Sequence, residues 1–156
     1  NALYSRGFIK EGYKALYSLY KQSVDFENSC MYPGLPEYFS ERGRGMYPYL
    51  TGSASWLMMT MVTEVFGVRG EFGDLMISPK LVGEQFRAQG ELGISLMFNG
   101  VKLHVKYQVE DIAHVGQQQV YTQVKRLYVN GQQMDGNIIS KEMLMSASEH
   151  EILAVL

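Results

Sequence analysis

The chain has 156 residues, 46% apolar and 12% aromatic, enough for a sizeable core but too few for a large enzyme acting alone, so disorder is excluded and one domain or two small substructures are expected. Fourteen Lys and Arg against sixteen Asp and Glu give a net charge of -2 with no basic block, which argues against nucleic acid as a partner. A single Cys30 and no Cys/His cluster at zinc-ligand spacing exclude an internal disulfide and predict no metal site, a pattern that fits a reducing, cytoplasmic setting.

In chain order, the first predicted element runs from Leu3 to about Lys21, where Ile9, Tyr13, Leu16 and Tyr20 recur at helical spacing and form an amphipathic helix with an aromatic stripe. Gly7 and Gly12 lower its intrinsic propensity, so packing must hold it. Asn1 in place of Met, running straight into a helical pattern without a signal sequence, reads as a chain cut from something longer. Residues 31–50 carry Pro33, Gly34, Pro36, Gly43, Gly45 and Pro48, which prevents a long helix and predicts a long, ordered loop of functional character. A second helix starts at Thr51, Gly52 and Ser53 and stops at Gly67. Between residues 54 and 66 only Glu64 is charged, so this helix is expected to be buried in a helical layer, and it is too short to span a membrane.

The hydrophobic period changes at 67–73. Val101, Leu103, Val105, Tyr107 and Val109 alternate with polar residues, as do Ile94, Leu96 and Phe98 before them, and the intervening Asn99 and Gly100 signal a two-residue hairpin. The same turn chemistry recurs at Asn130 with Gly131 and at Asp135 with Gly136, between short runs at 127–129 and 138–139. An antiparallel β-sandwich is expected from this half.

Chemistry-bearing residues are few. His104 falls on the polar face of a strand, and His114 and His150 have no metal-compatible neighbour in sequence, so all three are read as non-catalytic. Cys30 has no sign of activation and reads as a small buried or loop residue. Arg42 and Arg44 flank Gly43 but lack a dinucleotide fingerprint, since position 48 is Pro; they read either as solvated turn arginines or as the lining of an anionic or sugar site. Glu37, Tyr38 and Phe39 read either as loop anchors or as the carboxylate and aromatic surface of a sugar site. The strongest local feature is Thr51-Gly52-Ser53 at a helix start, where free backbone N–H groups, partial positive charge and a glycine's close approach suit an inorganic anion as well as ordinary capping.

The run PGLPEYFSERGRGMYPYLTGSASWLMMTMVTEVFGVRGEFGDLMISPKL at 33–81 resembles the C-terminal part of a glycoside hydrolase family 94 phosphorylase. The forms PGLPEYF and GRGMYPYLTGSASW are most similar to the branch holding β-1,2-oligoglucan phosphorylases and the phosphorylase-like domain of cyclic β-1,2-glucan synthases. The resemblance implies an α+β chain: the last helices of an (α/α)6 barrel with an active-site loop over 1–70, then a jelly-roll-like antiparallel sandwich over 71–156. It implies reversible, inverting phosphorolysis of β-glucosidic bonds to an α-sugar 1-phosphate, with inorganic phosphate as co-substrate and no other cofactor. Thr51 and Gly52 match the family's phosphate contacts, and Glu37, Tyr38, Arg42 and Arg44 are the candidates for substrate subsites.

The family's general acid Asp, and the Arg and His completing its phosphate site, have no counterpart here. Asp25 and Asp74 do not stand in the matching context, so no catalytic residue is assigned and the chain is expected to be inactive alone. The expected partners are β-linked gluco-oligosaccharide, phosphate, the missing N-terminal part of the parent, and a second copy through exposed helix faces. A cyclic glucan synthase parent implies membrane association. The reading from another class is a stand-alone carbohydrate-binding or interaction module.

Overall fold

A computed structural model describes residues 1–31, 34–47, 52–115 and 119–156, except for the side chain of His114. The protein is a mixed α+β chain that divides into two compact units, Asn1–Met61 and Val62–Leu156. The division falls inside the helix that precedes Gly67.

The first unit opens with α1 (Ala2–Ser5) and α2 (Ile9–Val24), where the sequence predicts one continuous helix. Gly7 takes a φ of 83°, a left-handed conformation that ends the first turn and that few residues other than glycine adopt without strain. The buried stripe of α2 is Ile9, Gly12 and Ser23, and Gly12 is close-packed because a Cβ there would lie 2.7 Å from the Tyr4 ring. Tyr20, assigned to the inner stripe from its spacing, is 58% exposed. It instead continues a ladder of stacked rings, Tyr13 to Tyr17 at 5.6 Å and Tyr17 to Tyr20 at 6.4 Å.

A short helix, α3 (Phe26–Ser29), follows, capped by the Asp25 side chain. The predicted loop then contains a small antiparallel ribbon of β1 (Tyr38–Phe39) and β2 (Gly45–Met46). Its turn is pinned to α2 by the Gln22 side-chain amide, which donates to the Gly43 carbonyl at 2.9 Å. The second predicted helix is α4 (Gly52–Thr60), continued by a π-helical turn over Met61–Val65. Such wide turns occur mostly as single insertions in α-helices. Contrary to expectation α4 is not enclosed: Trp56, Met58 and Met59 are 58%, 65% and 53% exposed, and only Thr60 is buried.

The helix ends where the sequence predicts, at a glycine stop. Gly67 has a φ of 65°, and a Cβ there would fall 1.8 Å from the Ser78 carbonyl oxygen. Strands β3 (Val68–Glu71) and β4 (Asp74–Ile77) form a hairpin, with β5 (Leu81–Val82) after it. Then come β6 (Glu91–Phe98), β7 (Val101–Gln108), β8 (Val120–Tyr121), β9 (Arg126–Val129), β10 (Gln132–Met134) and β11 (Ile138–Ile139). A one-turn helix α5 (Lys141–Leu144) leads into β12 (Glu149–Val155).

The main sheet has five strands in the order β10-β9-β12-β7-β6, and a three-stranded sheet has the order β11-β4-β3. The hairpins at Asn99-Gly100 and Asn130-Gly131 have both turn residues at positive φ, the primed-turn geometry that matches strand twist. Asp135-Gly136 does not close a hairpin; the chain leaves the main sheet there, and β11 pairs with β4.

Among the described residues the pairs are antiparallel with one exception: β12 runs parallel to β7, from Glu149 opposite Lys102 to Val155 opposite Gln108. The expectation of antiparallel strands is corrected there, since the last strand enters the sheet centre by a crossover that no local pattern encodes. Leu103, Tyr107, Leu127, Leu75, Ile77 and Leu144 are fully buried, each on the apolar phase of its element. Leaving such side chains in water rather than burying them costs about 1.5–3 kcal/mol each. No helix among the described residues is long and apolar enough to cross a membrane.

Candidate functional site

The helix start singled out from sequence holds an anion supplied by the chain itself. Thr51 lies outside the described residues, but Gly52 and Ser53 open α4. The Ser53 backbone N–H donates to the Glu37 carboxylate at 3.2 Å, and the Ser53 hydroxyl donates to the Glu37 carbonyl at 3.1 Å. A Cβ on Gly52 would stand 3.7 and 3.8 Å from the two Glu37 carboxylate oxygens, an ordinary van der Waals distance, so the carboxylate lies against Gly52 without depending on its missing side chain. The geometry follows from the unsatisfied N–H groups and partial positive charge of a helix start. β1 brings Glu37 to it, because the Glu37 N–H donates to the Met46 carbonyl at 3.1 Å across the ribbon.

The other residues named from sequence are distributed around that ribbon. Tyr38 is 51% exposed and packs against the Tyr47 ring at 5.8 Å, giving an open aromatic surface beside Glu37. Arg42 and Arg44 are exposed at the far turn, where the Ser40 N–H donates to the Arg44 carbonyl at 2.8 Å. The structure therefore joins Glu37 to Ser53, beside Gly52, and leaves the two arginines at the ribbon tip. Asp25 receives the Asn28 side chain at 2.8 Å, and Asp74 receives the Lys141 N–H at 2.8 Å. Both carboxylates cap short helices.

Cys30 is an exposed loop residue at a φ of 54°, and His114 belongs with Thr51, its side chain outside the described set. His150 is 2% exposed, with one ring nitrogen 3.0 Å from the Asn130 amide and the other 2.9 Å from the Leu144 carbonyl. Because a carbonyl only accepts, Nε2 carries a proton. His150 thus ties β12 to the β9–β10 turn and α5.

A second constellation escaped the sequence reading. On the solvated face of the main sheet, His104 lies opposite Ser95 on β6 and Glu151 on β12. Its Nδ1 is 2.8 Å from the Ser95 hydroxyl, and its Nε2 is 2.7 Å from a Glu149 carboxylate oxygen that Lys102 also approaches at 3.2 Å. The hydrogen bonds from His104 and then Lys102 hold the Glu149 carboxyl below the usual carboxylate value. His104 does lie on the polar face, as its alternation predicts, but it is 45 residues from Glu149, and only the parallel pairing brings them together. The one available signal was the shared polar phase of Lys102, His104, Glu149 and Glu151 in two alternating segments.

A third ionic group lies at the start of the second unit. Glu64, 7% exposed, accepts from the Lys80 ammonium at 2.5 Å and has the Arg69 guanidinium at 3.8 Å. This explains how the only charge in the apolar run 54–66 is accommodated.

No protein-family model matches the chain, and no curated protein matches it.

Proposed function

We propose that this chain is the C-terminal part of a β-glucan phosphorylase and supplies one wall of its phosphate site. The observation that carries the proposal is the start of α4, where a Ser53 backbone N–H holds a carboxylate oxygen at 3.2 Å beside a glycine. A helix start that accepts one oxyanion has the donors and the field for another. In this reading phosphate is the co-substrate. One of its oxygens bonds to the anomeric carbon as the glycosidic C–O bond breaks on the opposite face, and the departing oxygen takes a proton from an Asp upstream of this chain. Gly52 and Ser53, with Thr51, would hold and orient the phosphate, and Glu37 and Tyr38 would border the sugar.

The apolar surface of α4 supports the same reading. A helix apolar nearly all round belongs inside a larger helical assembly, and its exposed Trp56, Met58 and Met59 are the face that barrel neighbours would cover. The β unit would then be the jelly-roll-like sandwich that follows the barrel.

The chain alone is expected to release no glucose 1-phosphate from β-linked gluco-oligosaccharides and phosphate, and the gene upstream of Asn1 is expected to encode a helical barrel with an Asp acid. Release at a rate sensitive to Thr51→Val, or an upstream region without such a barrel, contradicts the proposal. Membrane-spanning segments further upstream would identify a cyclic glucan synthase as the parent.

A second reading, a saccharide-binding module, has one observation in its favour. A depression of about 290 Å3 is lined by Tyr128, Ile152 and Leu153 with Lys106, Gln108 and Glu151, a largely apolar surface with an aromatic ring and a few polar groups, of the kind that binds small ligands. Saturable binding of gluco-oligosaccharide to the chain that is lost in Tyr128→Ala but kept in Glu37→Ala would favour it.

A further inference from the structure

We infer that His104, Glu149 and Glu151 form a surface site for a divalent first-row transition ion of the zinc class. One ligand atom from each residue lies within 4.8 Å of those of the other two. Ions of this class bind imidazole nitrogen and carboxylate oxygen at about 2.0–2.2 Å, so tetrahedral ligands stand roughly 3.3 Å apart. The 2.7 Å separation of His104 Nε2 and the Glu149 oxygen needs to open by a few tenths of an ångström. The Glu151 carboxylate, already within 4.8 Å of the other two ligand atoms, needs to close to about 3.3 Å.

The backbone that carries these residues is rigid. β7 and β12 are both interior strands of the main sheet, each paired on both sides. Their register sets His104 beside Glu151, and Glu149 two residues earlier on the same face.

Two observations outside the trio favour an ion. The Ser95 hydroxyl on a third strand lies 2.8 Å from His104 Nδ1; when a metal displaces the Nε2 proton now donated to Glu149, Nδ1–H can donate to this hydroxyl, the outer hydrogen bond that orients a ligating imidazole. A depression of about 230 Å3, lined by Ser95, His104, Lys106 and Glu151 among others, opens beside two of the three ligands, with room for waters completing an ion's coordination. No hydrogen bond or ion pair holds the Glu151 carboxylate among the described residues, although its backbone N–H donates to Asn130.

The charges balance. Two carboxylates with a neutral imidazole carry the charge that a divalent cation cancels, and Lys102 at 3.2 Å from Glu149 is the resident counter-ion in its place. The bound ion would clip β12 to β7 on the face opposite the core.

The test is calorimetric titration of zinc chloride into the full chain, followed by thermal melts with and without zinc. One saturable site and a zinc-dependent rise in melting temperature are expected. His104→Ala and Glu151→Gln should each weaken binding about 10-fold or more, and Ser95→Ala by about 10-fold. Lys102→Met should tighten it, because the competing cation is gone. This variant leaves every ligand in place, so it remains decisive if a ligand substitution fails to fold. No saturable zinc binding up to about millimolar, binding that survives His104→Ala, or Lys102→Met binding no more tightly than the parent chain overturns the inference.

Discussion

The two units manage apolar surface in opposite ways. In the second unit the apolar phase of most strands is inside, with Leu75, Ile77, Leu103, Tyr107 and Leu127 all fully buried, while the apolar residues of β6, β8 and β10 are at most half-buried. In the first unit the buried apolar residues are few, Tyr4, Ile9 and Met31 among them, while Phe8, Tyr17, Tyr20, Phe26, Trp56 and Met58 are each at least 46% exposed. An alternating strand needs cover on one face only, and most of the apolar faces here have it. Helices apolar on more than one face need neighbours on each of those faces, and the described residues do not provide them. The contrast is what the proposed role requires: a self-contained β unit, and a helical unit built to complete something larger.

Substitutions that break the β unit should have the largest effects. Gly67→Val forces a side chain into the Ser78 backbone at a φ of 65°; we expect a loss of about 4 kcal/mol or more, outright unfolding in a marginal chain, measured by urea melts. Leu103→Ala empties a fully buried site and should cost about 2–5 kcal/mol. Tyr107→Phe removes the hydroxyl that donates to the Phe66 carbonyl and leaves that buried oxygen without this donor, a loss of about 1–3 kcal/mol.

Burial also raises the Tyr107 hydroxyl above its ordinary pKa. The folded state therefore favours the neutral phenol. Its contribution is complete below the unfolded value of about 10 and is lost as pH rises beyond it. Tyr107→Phe should flatten that alkaline arm of the stability profile.

Smaller effects sharpen the contrast. Phe72 is fully exposed at a φ of 49° in the β3–β4 turn, followed by Gly73, a bulky residue where an Asn-Gly turn is favoured. Phe72→Asn should stabilise the chain by about 0.5–1 kcal/mol. Least of all, Trp56→Ser in the helical unit should change stability by no more than about 0.5 kcal/mol yet reduce self-association, read by light scattering. A wild-type chain that is monomeric at every accessible concentration would remove the need for a partner at this face.

Much of the β unit was legible because alternation and turn residues are local signals: the period of Val101 to Val109 and the Asn99-Gly100 and Asn130-Gly131 turns all mark what forms. The parallel β7–β12 pair was not, since strand direction in a crossover leaves no trace in either segment, and the His104 cluster was hidden with it. Among the helices, Gly7 was read as a weakened position rather than a stop, because its positive φ depends on how α1 and α2 pack. At the candidate site the helix start at Gly52 was readable from its residue types. The docking of Glu37 on Ser53 was not, because it depends on a ribbon that two two-residue strands are too short to announce.

The central claim is that the start of α4 is an anion site which Glu37 occupies until phosphate arrives, and phosphorus-31 NMR of inorganic phosphate titrated against the full chain tests it most directly. Saturable broadening is predicted, stronger in Glu37→Gln, where the competing carboxylate is gone, and weaker in Gly52→Val, where a side chain fills the approach. Phosphate that shows no saturable broadening with the wild-type chain or with Glu37→Gln would contradict the account.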